Sequence, residues 1–374
     1  MAIADDAHFM GRALELARQG QGHVEPNPMV GCVIVQNGTI VGEGYHQQFG
    51  QPHAEVNAIA NCGDASLEGS TFYVTLEPCC HHGKTPPCTD ALLKARPARV
   101  VIAQQDPFPR VQGGGIKILR DAGMEVVVGV CGDEAKQLNA AYRKRQQTGK
   151  PWVIAKWAMT LDGKLATANG SSKWISSPEA RAEVHRIRGF CDGIMVGSTT
   201  ARLDDPLLTT RPPGPRTAAR IVFDSQASLR ESSQLIATLD QAPVILAVSS
   251  TARPERLERL RRAGCELIIC EGTDHAARAE SLLQQLGERG MTNLLVEGGS
   301  QLLGLLWDQR QIDEVVAFVA PKIAGGSDAI SPIGGHGLTN MEDATQLQRT
   351  TLRTFGDTIC LQGFTRFSDE QSLR

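Results

Sequence analysis

His53-Ala54-Glu55, an apolar helix-like segment, the strand-like Thr71-Phe72-Tyr73-Val74-Thr75-Leu76, and then Glu77-Pro78-Cys79-Cys80-His81-His82-Gly83-Lys84-Thr85-Pro86-Pro87-Cys88 form the stretch on which this chain turns. One imidazole and two thiols are a donor set that suits zinc, and a catalytic zinc keeps its fourth position for water. The Glu55 carboxylate, two residues after His53, is placed to move protons to and from that water. Residues two apart on a regular helix face nearly opposite ways, so His53 and Glu55 can share a site only where the chain is still entering the helix. An isolated His-x-Glu carries no information. Its conjunction with a Pro-Cys after a strand and a further ligand nearby does.

Zinc-dependent base deaminases carry H-x-E followed by P-C-x-x-C. Here Pro78-Cys79 is followed by a longer loop before Cys88. In the shorter spacing the remaining ligand would fall at His82, and Cys80 is another neighbour. Cys88 is preferred, because His81-His82-Gly83-Lys84-Thr85 reads as a substrate loop more than as a ligand spacer. Cys88 also precedes a helix, whose N-terminal partial positive charge favours thiolate over thiol.

The 374 residues exceed what one core usually organises, so about two domains are expected. The content is 41% hydrophobic and 21% charged, with a net charge of -3, which argues against a nucleic-acid-binding face. Met1 to Asp6 has neither the basic flank nor the apolar core of a secretory signal. No apolar run approaches the roughly 20 residues of a membrane helix. Ten cysteines scattered over a long chain fit a reducing cytoplasm better than a disulfide framework.

In chain order, Phe9, Met10, Ala13, Leu14 and Ala17 fall at helical spacing within Asp6 to Gln19. Val30 to Val35 and Ile40 to Tyr45 flank the turn Gln36-Asn37-Gly38-Thr39 and predict a hairpin. A helix follows His53, with Val56, Ile59 and Ala60 on its buried side. Strand Thr71 to Leu76, helix Thr89 to Ala95, strand Arg99 to Ala103, helix Ile116 to Ala122 and strand Met124 to Val130 then alternate, predicting a sheet covered by helices on both faces. The polar Tyr142 to Pro151 reads as a linker, so the domains are expected to be 1–148 and 149–374. Beyond it come strand Trp152 to Trp157, helix Pro178 to Arg188, and strands Gly193 to Gly197, Ala219 to Phe223 and Val244 to Val248. Helix Glu255 to Ala263, strand Glu266 to Cys270 and helix His275 to Leu286 follow, and Asn293 to Ser300 ends a strand and opens another helix. Gly298-Gly299-Ser300 at that turn could cradle a phosphate on free amides, a weak signal when taken alone.

The first half resembles the N-terminal domain of the bifunctional deaminase/reductase family of riboflavin biosynthesis, a branch of the cytidine-deaminase superfamily. The matching pieces are Asn27-Pro28-x-Val30-Gly31, Gly44-Tyr45-His46, His53-Ala54-Glu55, and Thr75-Leu76-Glu77-Pro78-Cys79 through Pro86-Pro87-Cys88. The resemblance implies a cytidine-deaminase-like three-layer α/β/α domain in which His53, Cys79 and Cys88 bind one zinc and Glu55 transfers protons. It further implies that Asn27, His46, His81 and Lys84 hold the pyrimidine and its ribosyl phosphate. A flexible ammonium beside a glycine suits a phosphate on independent grounds.

The second half is similar to the reductase domain of the same family, a dihydrofolate-reductase-like α/β domain that uses NADPH. Matching pieces are Ala158-Met159-Thr160-Leu161-Asp162-Gly163, Ser172-Lys173-Trp174-Ile175, Gly197-Ser198-Thr199-Thr200, Asp204-Asp205-Pro206-Leu207-Leu208-Thr209-x-Arg211 and Glu297-Gly298-Gly299. By that likeness Ala158, Trp174, Thr200, Asp204, Ser225 and the run Gly299, Ser300, Gln301, Leu302, Leu303, Gly304 and Leu305 contact the nicotinamide cofactor. Ser172, Arg188, Leu208, Arg211 and Glu297 contact the substrate. Two arginines could grip a phosphate bidentately.

The resemblance implies hydrolytic deamination of 2,5-diamino-6-(5-phosphoribosylamino)pyrimidin-4(3H)-one, then NADPH-dependent reduction of the ribosyl side chain to the ribityl form. A deaminase of another base with an inactive reductase-like domain is the alternative enzyme. A zinc-stabilised RNA-binding module is the alternative outside enzymes, and Glu55 and the missing basic face speak against it. The expected partner is a small phosphorylated aminopyrimidine, not nucleic acid or membrane, and a cytoplasmic homo-oligomer, dimer or tetramer, is expected.

Overall fold

The computed structural model describes residues 3–64 and 66–365, and the chain divides into two units, Met1–Gln147 and Thr148–Arg374. The first begins with α1 (Ile3–Arg18) and the hairpin of β1 (Gly31–Gln36) and β2 (Thr39–Tyr45). Asn37 and Gly38 at its turn have φ of 53° and 79°. A two-residue turn between strands of right-handed twist needs two such positive angles, and Asn-Gly supplies them at least cost.

Next come α2 (Ala54–Ala60), β3 (Thr71–Val74), α3 (Cys88–Ala95), β4 (Arg99–Ile102), α4 (Gly114–Asp121), β5 (Glu125–Val128), α5 (Gly132–Leu138) and α6 (Ala140–Thr148). The strand order is β2-β1-β3-β4-β5. β1 runs antiparallel to both neighbours, and β3, β4 and β5 are parallel. Alternation along the strands splits the core in two. Cys32, Ile34, Phe72, Val74, Val100 and Ile102 pack on Ala54, Ala58, Leu92 and Leu119 of one helical layer. Val33, Val35, Tyr73 and Val101 pack on Met10, Ala13, Leu14 and Ala135 of the other. Each large apolar side chain so enclosed contributes roughly 1.5–3 kcal/mol, which commits both sheet faces to helices. Gly44 lets α2 lie close: a Cβ there would stand 2.3 Å from the Ala58 nitrogen.

The structure corrects the linker reading of Tyr142 to Pro151. Residues 140–148 form α6, in which Tyr142 and Lys144 are buried. A polar helix lacks the apolar stripe that marks one in a sequence, and side-chain hydrogen bonding stabilises it in its place.

The second unit contains β6 (Trp152–Thr160), α7 (Pro178–Arg188), β7 (Gly193–Gly197), α8 (Ser198–Asp204), β8 (Ala219–Phe223), α9 (Gln234–Ala237), β9 (Val244–Ser249), α10 (Pro254–Arg262) and β10 (Glu266–Cys270). It continues with α11 (His275–Glu288), β11 (Asn293–Val296), α12 (Ser300–Asp308), β12 (Glu314–Ala320), β13 (Gln348–Phe355) and β14 (Thr358–Phe364). Its sheet has the order β10-β9-β8-β7-β11-β6-β12-β14-β13. The strands from β10 to β12 are parallel, and β14 and β13 add antiparallel. The central strands are largely apolar, Lys156 of β6 and Arg220 of β8 excepted, because helices cover both sides: α11 and α12 over Val153, Ile221 and Leu294, and α8 to α10 over Ile194, Val222 and Leu246. Among the described residues no helix is long and apolar enough to cross a membrane.

Candidate metal centre and active sites

In the first unit His53 is the N-cap of α2, with extended backbone (φ −78°, ψ 171°), and Glu55 lies in the first turn. That break in helical geometry lets side chains two apart turn to the same place. His53 Nδ1 lies 3.6 Å from Cys79 Sγ and 3.3 Å from Cys88 Sγ, and the three donor atoms all lie within 4.8 Å of one another. The Cys88 backbone N–H, at the start of α3, donates to Cys79 Sγ at 3.3 Å. On the far side of the ring, His53 Nε2 faces Thr85 Oγ1 at 3.4 Å. Cys80 turns away toward the Arg110 carbonyl, and His82 is exposed.

The two sulfurs titrate in opposite directions. Hydrogen bonding from Cys88 and His53 lowers the Cys79 thiol, and sharing a proton with Cys79 inside a buried setting raises Cys88. Glu55 is 2% exposed, and desolvation, with the nearby Cys79 sulfur, raises its carboxyl. A carboxyl raised above its ordinary value by burial holds a proton more readily than an exposed one, which suits a group that accepts and returns a proton.

A cavity of about 280 Å³ opens over this cluster, and Asn27, His46, His53, Glu55, Cys79, His81 and Lys84 all line it. His46 Nδ1 faces the Pro52 carbonyl at 3.1 Å, and its Nε2 faces Asn27 Nδ2 at 3.2 Å. A carbonyl only accepts, so Nδ1 carries the proton and Nε2 accepts from Asn27. Burial lowers the His46 pKa, which favours the neutral ring that this hydrogen-bond pattern requires. Among the described residues His81 Nδ1 is buried without a hydrogen-bond partner, and the ring stacks edge-on to Phe108. Lys84 Nζ stands 4.0 Å over the Phe49 ring.

Several wall residues escaped the sequence reading. Glu77 accepts from the amides of Asp106, Gly113 and Ile116 at 3.2, 3.0 and 3.1 Å, tying the loop before α4 to the cysteine loop. Asp106, raised to about 6 mainly by burial, accepts from the Tyr142 hydroxyl at 3.0 Å. Arg145 and Gln146 line the same cavity.

In the second unit, Arg188 grips Glu297 bidentately, Nε to Oε1 at 2.5 Å and Nη2 to Oε2 at 3.0 Å, and donates to the Thr209 carbonyl at 3.1 Å. Lys156 Nζ reaches Glu297 Oε2 at 3.2 Å. Burial alone would raise Glu297, but Arg188 and Lys156 outweigh it and hold the carboxyl at about 2. Arg211 Nη1 donates to Thr209 Oγ1 at 3.1 Å, and Leu208, the residue before Thr209, is buried with φ 53°. Arg188, Leu208, Arg211 and Glu297 thus form one connected group, to which the structure adds Lys156. The sequence signal for Lys156 was a lone cation within the apolar strand Val153-Ile154-Ala155-Lys156-Trp157.

Gly299 is the N-cap of α12 with no side-chain cap, and a Cβ on it would stand 3.2 Å from Thr200 Oγ1, so α8 and α12 begin side by side. Ser300 and Gln301 form the first turn. Leu302 and Leu303 pack in the core, Gly304 abuts the backbone of Gly334 and Gly335, and Leu305 is half-buried. Ala158 lies half-buried on β6, and Asp204 is exposed at the end of α8. Ser225 Oγ faces His275 Nδ1 at 3.4 Å. Ser172 and Trp174 sit on the loop before α7, where Trp174 is 65% exposed beneath the Arg181 guanidinium.

A buried carboxylate beside a His-Cys-Cys cluster on a three-layer α/β/α unit, followed by a separate mixed α/β unit, is the layout of a zinc-dependent deaminase joined to a second enzyme domain. The family model described as "Cytidine and deoxycytidylate deaminase zinc-binding region" matches residues 3–104, and the one described as "RibD C-terminal domain" matches residues 151–361. The chain belongs to the RibD family of riboflavin-biosynthesis proteins. It is 42% identical over 356 residues to riboflavin biosynthesis protein RibD of Actinobacillus pleuropneumoniae, covering 95% of this chain and 94% of that protein. Its fold is similar to that of Acinetobacter baumannii RibD, with a TM-score of 0.85, 33% identity, and coverage of 97% and 99% of the two chains. It is also similar to a Thermotoga maritima diaminohydroxyphosphoribosylaminopyrimidine deaminase/5-amino-6-(5-phosphoribosylamino)uracil reductase, with a TM-score of 0.84, 34% identity and the same coverage. The chain is accordingly a bifunctional deaminase and reductase with a cytidine-deaminase-like domain before a dihydrofolate-reductase-like one, and its cofactors are zinc and NADPH.

Proposed function

We propose that His53 Nδ1, Cys79 Sγ and Cys88 Sγ hold the zinc and that Glu55 is the proton-transfer group of the deaminase. The donor set supports this reading: one imidazole nitrogen and two sulfurs within 4.8 Å are a three-ligand catalytic set. Bound zinc lowers the pKa of water toward neutrality. Glu55 would take a proton from that water as its oxygen bonds to the amine-bearing ring carbon, and would return the proton to the nitrogen that leaves as ammonia. The substrate is 2,5-diamino-6-(5-phosphoribosylamino)pyrimidin-4(3H)-one. Asn27 and neutral His46 meet its ring, the unpartnered His81 Nδ1 gains a hydrogen bond from it, and Lys84 meets its phosphate.

For the second domain, the uncapped amides at Gly299 and Ser300, with Gln301 to Leu305 behind them, fit the phosphates of NADPH, and Ala158, Trp174, Thr200, Asp204 and Ser225 line its course. NADPH supplies the hydride. Arg188 and Arg211 bind the substrate, with Ser172 and Leu208 beside it, and Glu297 fixes the Arg188 fork. The product is 5-amino-6-(5-phosphoribitylamino)uracil. The protein acts in the cytoplasm as a homo-oligomer, dimer or tetramer.

Glu55→Gln tests this reading. The variant keeps its zinc, loses ammonia release by about 10⁴-fold, and still oxidises NADPH when given the deaminated ribosylaminouracil phosphate. Unimpaired ammonia release removes Glu55 from its role. Wild-type ammonia release with no ribityl product supports the alternative of a deaminase with an inactive second domain.

A further inference from the structure

α6 places Tyr142, Arg145 and Gln146 on one face, at positions i, i+3 and i+4, and all three line the cavity that contains His53, Glu55 and Lys84. The face is fixed in rotation, because the Tyr142 hydroxyl donates to Asp106 at 3.0 Å. Deamination of a phosphorylated aminopyrimidine, the reading given above and the one on which this inference rests, brings a phosphomonoester of about −1.5 to −2 charge into this cavity. Glu55, Glu77 and Asp106 already line it. Lys84 is a single cation, a point charge on a loop, resting over the Phe49 ring. Arginine adds a planar fork that forms two parallel hydrogen bonds to a phosphate, and a helix carries it more rigidly than a loop. We propose that Arg145 binds the 5′-phosphate of the substrate together with Lys84, and that it sets the preference of the deaminase for the phosphorylated aminopyrimidine over its dephosphorylated form.

The test uses the full-length zinc-loaded enzyme and both substrates. Arg145→Gln raises KM for the phosphorylated substrate by about tenfold or more, leaves kcat within about twofold, and leaves KM for the dephosphorylated one unchanged. Arg145→Lys recovers part of the loss, and inorganic phosphate inhibits the glutamine variant more weakly than wild type. An equal loss on both substrates, the mark of a merely structural role, overturns the proposal. So does an unchanged KM for the phosphorylated substrate in an enzyme that turns it over. A wild-type enzyme that releases no ammonia from that substrate instead defeats the deaminase reading, and the phosphate assignment with it.

Discussion

Glu55 and Glu297, one in each unit, are both nearly sealed from water, yet their surroundings push them opposite ways. Desolvation dominates at Glu55 and raises it, whereas Arg188 and Lys156 overcome desolvation at Glu297 and hold it at about 2. The first is a carboxyl prepared to change its protonation state. The second is a permanent anion that orients two cations. Burial alone therefore does not assign a role to a carboxylate; its partners do. The two sites also differ in construction. The candidate metal cluster draws its donor atoms from one stretch, His53 to Cys88, and the charged group of the second unit draws on β6, α7, the loop after α8 and the end of β11.

The largest effect is expected at Arg188. Arg188→Met leaves Glu297 with Lys156 as its remaining cation in a buried site, and unfolding of the second unit should become easier by about 3–5 kcal/mol. Chemical denaturation followed by tryptophan emission measures this, and a loss below about 1 kcal/mol would mean that the ion pair is no anchor.

Acid sharpens the same contrast. The folded pKa of Glu297 is depressed from 4.5 to about 2. Folding therefore favours its ionised form: the contribution is complete above about pH 4.5 and is lost as pH falls toward 2. Its size is on the order of 3 kcal/mol. Melting temperatures recorded from pH 6 down to 3 should fall less steeply for Glu297→Gln than for wild type, and parallel curves would remove Glu297 as their source.

The smallest effect lies in the first unit. Tyr142→Phe removes one hydrogen bond, worth about 1 kcal/mol of stability. That bond stabilises ionised Asp106, so the Asp106 midpoint, near 6 in the wild type, should move up. Carboxyl NMR titration reads this directly, and an unmoved midpoint would show that the hydroxyl does not set it.

The hairpin at Asn37-Gly38, the helix-strand alternation and the His53 to Cys88 cluster were legible because each depends on neighbours close in the chain. α6 was not, since Tyr142, Arg145 and Gln146 look like linker residues until Asp106 and the cavity stand beside them. Lys156 stood out within an apolar strand, but its partners lie 141 residues away at Glu297. Asp106 gave no signal as a single acid, and Glu77 stood within the cysteine motif without a legible role, because the amides and the hydroxyl that use them come from other segments.

Local spacing determined the helix-strand alternation and gathered His, Cys and Glu side chains suited to a zinc site into one stretch, because backbone periodicity and ligand chemistry act over a few residues. The tertiary structure alone decided which walls close around that centre and which charges meet in the second unit. Those contacts join segments whose separation in the chain carries no pattern, and only the packing of both sheets brings them together.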